Sequence, residues 1–192
     1  MRYPSIEAAE KLLNEAAEMN PGEWVAHNQV AALCANIIAG SCPGMDEKKA
    51  YVLGLLHDIG RRFGPGDLKH TLEGYKYMLE LGFEENARIC LTHSFPVKDI
   101  RSYNGQNDCK AEEAGFLQTY ITAAEYDEYD RLIQLCDLLA YPSGPAAMER
   151  KLVEVVMKRG FSEVTIPKWE EYFKIKRYFE EKANCTLEDL FK

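Results

Sequence analysis

The chain has 192 residues and a formal net charge of −8, and it is 46% hydrophobic and 28% charged. This length and this proportion of hydrophobic to charged residues are typical of one soluble domain whose core is large enough to be stable without disulfides or structural metals. The acidic charge argues against nucleic acid as an obligate partner, because such proteins usually present a basic face.

The chain gives no signal of a membrane or secreted protein. Its start, "MRYPSIEAAEKLLNEAAEMN", lacks an apolar signal-peptide region, and the uncharged stretch 24–45 contains too many polar residues, Gly and Pro for a membrane span. We expect neither a leader nor a membrane partner. The six cysteines form no CxxC pair, so we interpret them as reduced, small hydrophobic residues of a cytoplasmic protein.

Apolar residues recur at helical spacing along most of the chain, which predicts an all-α fold of about eight or nine helices. Asp46 is a suitable N-cap, Gly82 is a stop signal, and the segment 161–169, "FSEVTIPKW", favours one short extended piece. The predicted helices cover residues 5–19, 24–39, 46–62, 70–81, 84–93, 110–121, 125–141, 145–158 and 168–183.

The segment 94–110, "SFPVKDIRSYNGQNDCK", is the longest irregular stretch. Loops of this length in compact domains are often functional, although a plain surface loop and a mobile insertion stay open as alternatives.

The last long helix carries one aromatic face, which we interpret as a stripe that docks on the core of this chain or of a partner. The residues of this predicted stripe are Trp169, Tyr172, Phe173, Lys176 and Phe179.

All four histidines lie between residues 27 and 93, on four successive predicted helical segments, and none follows. Any one of them has an ordinary explanation as a core or surface residue. As a set, His27, His57, His70 and His93 predict that several helices bring their imidazoles to one point. Metal sites need such convergence, and nitrogen and oxygen ligands suit Zn, Mn and Fe.

Two aspartates fit the same hypothesis. Asp58 follows His57 directly, and Asp137 interrupts the apolar run "LIQLCDLLAYP". A buried carboxylate is costly unless it is paired or binds a metal. For Asp137, a buried hydrogen bond or an exposed helix face remains an alternative.

These residues resemble the HD superfamily of metal-dependent phosphohydrolases, whose most recognisable string is the "HDIG" of residues 57–60. The family order of a histidine, a His-Asp pair and a late aspartate is matched by His27, His57-Asp58 and Asp137. Many members add two histidines between the pair and the late aspartate, and His70 and His93 take those positions. The resembling core spans 24–141 of one domain, 1–192, with the C-terminal helices 145–192 packed on it.

The resemblance implies an all-α HD-domain helical bundle with a metal site. A mononuclear site would use His27, His57, Asp58 and Asp137. The two further histidines favour a binuclear site with His27, His57 and Asp137 on one ion, His70 and His93 on the other, and Asp58 bridging. The identity of the ions stays open among Mn, Fe, Ni, Co, Mg and Zn.

The resemblance also implies a hydrolase that acts on phosphoester or phosphoanhydride bonds, with a phosphomonoester or nucleotide-type phosphoester as the expected substrate. A metal-bound hydroxide would attack, with Asp58 helping to activate the water and no side-chain nucleophile. Arg61 stands where many members have the lysine of "HDIGK", and an arginine can grip phosphate with two donors. Arg62, and Lys98 and Arg101 of the segment 94–110, are further candidate substrate contacts. Arginines near a helix end also have a purely structural explanation.

Two other functions stay open from the sequence. One is a di-iron oxygenase of the HD type, which uses the same ligand types, and the other is a non-catalytic metal-binding sensing module. The expected partner is a small phosphorylated metabolite or nucleotide. The sequence leaves the oligomeric state open, a dimer included.

Overall fold

The structure, a computed structural model, describes residues 2–192 and confirms the all-α prediction. The α-helices are α1 Ile6–Met19, α2 Glu23–Ser41, α3 Glu47–Leu55, α4 Lys69–Glu80, α5 Glu84–Thr92, α6 Ala111–Ala123, α7 Glu128–Leu139, α8 Met148–Arg159, α9 Thr165–Ala183 and α10 Leu187–Leu190. Short 3-10 helices span Ile59–Phe63 and Ile100–Ser102, and strands β1 Ala140–Tyr141 and β2 Gly144–Pro145 pair antiparallel.

Helix boundaries largely follow the predicted capping signals. The Asp46 side chain accepts hydrogen bonds from the backbone N–H groups of Lys48 and Lys49 and starts α3. Gly82, just after α4, has a φ of +77°, which glycine adopts without strain. The sequence signals at these two positions therefore act locally, as expected.

The predicted continuous helix 46–62 is wrong, because α3 ends at Leu55 and a 3-10 helix follows Asp58. This 3-10 helix packs against α4 so closely that a Cβ atom on Gly60 would lie 1.9 Å from the carbonyl oxygen of His70. The break therefore places His57 and Asp58 at a buried turn, where both side chains point into the same site.

The predicted extended piece 161–169 is also wrong, because α9 begins at Thr165. Pro167 is the third residue of that helix. Proline is tolerated in the first helical turn, where a backbone N–H has no intrahelical acceptor.

Helices α2 and α3 form the centre of the bundle and lie close together. Ala31 and Ala32 on α2 are fully buried, and a Cβ atom on Gly54 of α3 would lie 3.0 Å from the carbonyl oxygen of Ala31. Small side chains thus permit the close approach that brings the start of α2 beside the end of α3.

The C-terminal helices share the core of α2 and α7. Leu152 of α8 and Tyr172 and Phe179 of α9 are buried in it. The predicted aromatic stripe is right for Tyr172 and Phe179, but Phe173 is 40% exposed. The buried face of α9 instead consists of Lys168, Tyr172, Ile175 and Phe179.

The six cysteines are free, and four of them are buried. Within residues 2–192, none of the helices combines the length and the apolar character needed to span a bilayer.

Candidate metal centre

Five segments of the bundle bring all six predicted ligands together. They come from the second turn of α2, the turn after α3, the first turn of α4, the residue after α5 and the last turn of α7. These residues are His27, the pair His57-Asp58, His70, His93 and Asp137. The imidazole rings of His57, His70 and His93 are almost fully buried.

Each histidine donates its Nδ1–H to a backbone carbonyl. A carbonyl oxygen can only accept, so this contact fixes the proton on Nδ1 and leaves a lone pair on Nε2 of each neutral ring. The carbonyls belong to Ala140 for His27 (3.0 Å), Gly54 for His57 (2.7 Å), Asp67 for His70 and Ile89 for His93 (3.1 Å).

The Nε2 atoms of the histidines converge without hydrogen-bond donors between them. His27 Nε2 and His57 Nε2 are 3.3 Å apart, and two lone pairs at that distance repel each other. His70 Nε2 is buried without a hydrogen bond, although it lies 2.8 Å from Oδ1 of Asp58. A cation among these atoms would remove both conflicts, so the donor set fits a metal.

The ligand atoms form two groups that share Asp58. His27, His57 and Asp58 make one group, and Asp58, His70 and His93 make the other, with all ligand atoms of a group within 4.8 Å of one another. Asp137 adds its Oδ1 to the first group, 3.0 Å from His27 Nε2 and 3.9 Å from His57 Nε2.

The two oxygens of Asp58 have different surroundings. Oδ1 faces His57, His70 and His93 at 3.9, 2.8 and 3.3 Å. Oδ2 is paired with Nε of Arg61, whose Nη1 donates to the carbonyl of Gly66. The same carboxylate oxygen therefore faces both ligand groups.

Charges around the cluster set its protonation. Burial alone would raise the pKa of Asp58 and Asp137, but the guanidinium of Arg61 and the ammonium of Lys151 hold these two pKa values well below the usual range. Burial lowers the pKa of His57 to about 3, so its ring is neutral. Neutral imidazoles and ionised carboxylates are the forms that bind metals.

The pKa of His93 shifts in the opposite direction from that of His57. Burial opposes its charged form, but the Asp58 carboxylate more than offsets this and raises the pKa of His93. We therefore expect metal binding to displace a proton from this ring.

A family model for the HD domain matches residues 9–141, more than half of the chain. The protein belongs to the HD domain family. Searches of curated proteins and of solved structures gave no match. All six candidate ligands of this HD domain lie within the matched residues, whereas α8, α9 and α10 follow them.

The cluster of the HD domain lies in a cavity of about 370 Å³. The cavity wall also includes residues that the sequence does not predict for the site. These residues are Trp24, Tyr103, Lys151, Arg159, Lys168 and Tyr172. The sequence contains one indication that Lys168 is functional, because a lysine on the apolar face of an amphipathic helix is unusual. Lys151 and Arg159 belong to no motif.

Two of these cations differ in their partners. Lys151 Nζ lies 3.7 Å from Asp137 Oδ1 and donates to the Asp137 carbonyl at 2.6 Å. Lys168 is only 6% exposed, and its Nζ donates to the Ser102 carbonyl (2.5 Å) and to Asn104 Oδ1 (3.1 Å). Burial lowers the pKa of Lys168 to about 8.

The four predicted substrate contacts fall in different places. Arg61 lines the cluster cavity, but Arg62, Lys98 and Arg101 do not. Arg62 stacks on the ring of Tyr77 at 4.0 Å, Lys98 is directed toward the Thr122 carbonyl, and Arg101 pairs with Asp99 and Glu163. The structure therefore brings one of the four to the metal ligands.

The segment 94–110 nevertheless contributes to the cavity through Ser94, Tyr103, Asn104 and Gly105. Asp108 ties this segment to the start of α4 by accepting hydrogen bonds from the backbone N–H groups of Asp67 and Lys69, both at 2.8 Å. The loop thereby helps to position His70.

A buried amide fixes the turn that follows His93. Gln134 of α7 donates to the carbonyls of Thr92 (3.0 Å) and Phe95 (3.3 Å). The Thr92 hydroxyl donates to Asp130 at 2.7 Å. These contacts hold the end of α5, and with it His93, against α7.

Proposed function

We propose that this HD domain protein is a metal-dependent phosphohydrolase that cleaves a phosphomonoester or nucleotide-type phosphoester with two divalent ions. The observation that carries the proposal is the position of Asp58, which belongs to two ligand groups that each hold two imidazoles. Membership of the HD domain family supports the hydrolase class.

In this proposal, His27, His57 and Asp137 hold one ion, His70 and His93 hold the other, and Asp58 is common to both. Bound divalent ions would neutralise charge on the phosphoryl oxygens and lower the pKa of a coordinated water toward ~7. The candidate ions are Mn, Fe, Ni, Co, Mg and Zn; imidazole ligands suit Fe, Ni and Zn, and carboxylate ligands suit Mg and Mn.

Side chains of the protein position the carboxylates and attract the substrate. Arg61 and Lys151 hold the two carboxylates in place and keep them ionised. Arg159 and Lys168 place positive charge on the cavity wall, and this local charge attracts an anionic substrate even to a protein with a net charge of −8. The aromatic rings of Tyr103 and Tyr172 contribute apolar surface to the cavity wall.

The cytoplasmic location expected from the sequence belongs to the same proposal. Its support is the set of free cysteines, which is typical of a reducing compartment.

The test combines metal analysis with a panel of phosphoesters supplied with Mn²⁺, Ni²⁺, Co²⁺ or Mg²⁺. We expect turnover of at least one phosphoester by the wild-type protein and none by Asp58→Ala or His57→Ala. Glu163→Gln is the control, because this carboxylate is exposed and lies outside the cluster cavity. Undiminished turnover by Asp58→Ala would refute the proposed role of that carboxylate.

The same experiment separates the two other candidate functions. Bound iron with oxygen consumption and no phosphoester cleavage would favour an oxygenase. Tightly bound metal without any turnover would favour a sensing module.

A further inference from the structure

A second cavity, of about 260 Å³, adjoins the cluster cavity. The two cavities share the residues that line their boundary, which are Tyr103, Asn104, Gly105, Arg159 and Lys168. A molecule bound at the metal ligands can therefore extend past these residues into the second cavity.

The boundary carries two cations without carboxylate partners among the described residues. The ammonium of Lys168 meets only neutral oxygens, from Ser102 and Asn104. Arg159 lines both cavities, and its guanidinium makes no hydrogen bond or ion pair within residues 2–192. Lys168 is buried, whereas Arg159 is exposed. The buried charge of Lys168 without a counterion is costly to the fold, and a bound anion would offset that cost.

The far wall of the second cavity is largely apolar. Leu152, Val155 and Val156 of α8 face Val164 and the half-buried ring of Trp169. The hydroxyl-bearing residues Ser162 and Thr165 also line this wall. Arg101 also lines the second cavity, but its guanidinium is paired with Asp99 and Glu163. The apolar part of the wall suits an organic group.

We propose that the second cavity binds the leaving group of an organic diphosphate, an inference that rests on the phosphohydrolase function above. The terminal phosphoryl group lies at the histidine-aspartate cluster, the second phosphate lies at Lys168 and Arg159, and the apolar or aromatic body lies against Trp169. Lys168 is then the residue that selects a substrate with a second anion.

Hydrolysis of such a substrate balances with water alone. A water oxygen bonds to the terminal phosphorus, and the bond from that phosphorus to the bridging oxygen breaks. The leaving monophosphate keeps the electron pair, and the protons of the water pass to the two product anions or to solvent.

Nucleoside diphosphates and isoprenyl diphosphates both carry a terminal phosphate, a second phosphate and an organic body in this order. ADP and geranyl diphosphate represent them in the experiment. Pyrophosphate lacks the organic body, and p-nitrophenyl phosphate lacks the second anion.

The binding test does not depend on activity. AMP and geranyl monophosphate, the leaving halves of the two substrates, are titrated with and without EDTA in a Trp24→Phe background, where Trp169 is the one remaining tryptophan. We expect one of them to change the Trp169 fluorescence. Lys168→Met should weaken this binding about 10- to 100-fold, the loss typical of a charge-assisted hydrogen bond. Lys168→Arg should retain it.

Lys174→Met is the matched control, because Lys174 lies on the same helix, is exposed and lines neither cavity. Its affinity for either monophosphate should equal that of the unsubstituted background.

The kinetic test compares substrates with and without a second anion. Lys168→Met should raise KM for ADP or geranyl diphosphate by about 10- to 100-fold and leave KM for p-nitrophenyl phosphate unchanged. An equal effect on both substrates would overturn the selective role of Lys168.

The outcomes separate this inference from the proposed function. Turnover of p-nitrophenyl phosphate without detectable binding of either monophosphate would overturn the leaving-group site and leave the hydrolase intact. Lys168-dependent binding of a monophosphate without turnover of any phosphoester would support the site and refute the hydrolase.

Discussion

Asp58 has two separate contacts at its two oxygens. Oδ1 faces three imidazoles, and Oδ2 is paired with Arg61. Arg61 thus acts on the metal ligands indirectly, by holding the shared carboxylate in one orientation. This contact differs from the phosphate grip that the sequence favours for Arg61, and both roles are compatible with its place on the cavity wall.

Replacing Arg61 with methionine should therefore weaken metal binding by about 10- to 100-fold, because residues that orient a ligand typically contribute that much. Calorimetric titration of the metal-free protein with Mn²⁺ or Zn²⁺ measures the effect. Arg62→Met is the neighbouring control, since Arg62 stacks on Tyr77 and does not contact Asp58. Equal affinities for the wild type and Arg61→Met would show that Arg61 does not orient the ligand.

Lys168 should make the free energy of unfolding depend on pH. Its pKa falls from 10.5 in the unfolded chain to about 8 in the folded protein because of burial. Between these values the unfolded chain binds more protons, so stability rises with pH across that window. At neutral pH the buried charge costs the fold about 3 kcal/mol, at 1.36 kcal/mol for each pKa unit.

Lys168→Met should consequently be more stable than the wild type at pH 7, by up to about 3 kcal/mol, and the difference should shrink as pH rises from 8 to 10.5. Urea denaturation at a series of pH values measures it, with Lys174→Met as the exposed control. A difference that is independent of pH would show that Lys168 is not charged and buried as the structure indicates.

At the scale of the elements, the break between α3 and the following 3-10 helix decides where the site forms. Gly60 permits the 3-10 helix to lie against α4, since no other residue fits beside the carbonyl of His70. Helical periodicity in the sequence continues through this point and therefore predicts one helix over 46–62. The break depends on the approach of α4, a tertiary contact that local sequence does not contain.

Gly60→Ala should push α4 and His70 away from Asp58. We expect a loss of stability of about 1–3 kcal/mol or more, as for overpacked cores, together with a reduced metal content. Gly115→Ala on α6 is the matched control, because a Cβ atom there meets nothing within 4 Å. That control should be more stable than the wild type by about 0.5–1 kcal/mol, the helix-propensity gain of alanine over glycine. A Gly60→Ala protein with wild-type stability and metal content would contradict the packing argument.

At the scale of the whole molecule, the C-terminal helices α8 and α9 complete a cavity whose metal ligands lie within residues 9–141. The clustering of the four histidines and the family resemblance, which adds Asp58 and Asp137, together predict all six clustered residues, because histidine is rare in this chain and the ordered set is specific. Lys151, Arg159 and Lys168 were missed because their position depends on how α8 and α9 pack. Lys98 and Arg101 are predicted from their place in a long loop, but Tyr103 and Asn104 of that loop line the cluster cavity, and Arg101 lines the second cavity.

Metal removal should destabilise the whole bundle, since the ligands come from five segments and repel one another without a cation. At a metal concentration of 100 times Kd, binding would contribute about 2.7 kcal/mol. We expect EDTA to lower Tm of the wild-type protein and to leave Tm of Asp58→Ala nearly unchanged, as measured by thermal unfolding. An identical shift in both proteins would show that Asp58 is not a ligand.

The central claim is a binuclear hydrolytic centre that shares Asp58. The most direct measurement is the metal content per chain together with phosphate release from the phosphoester panel, for the wild type and for the double variant His70→Ala/His93→Ala. We predict about two ions and turnover in the wild type, and about one ion and no turnover in the variant. One ion in the wild type, with both that ion and the activity retained in the variant, would contradict the claim.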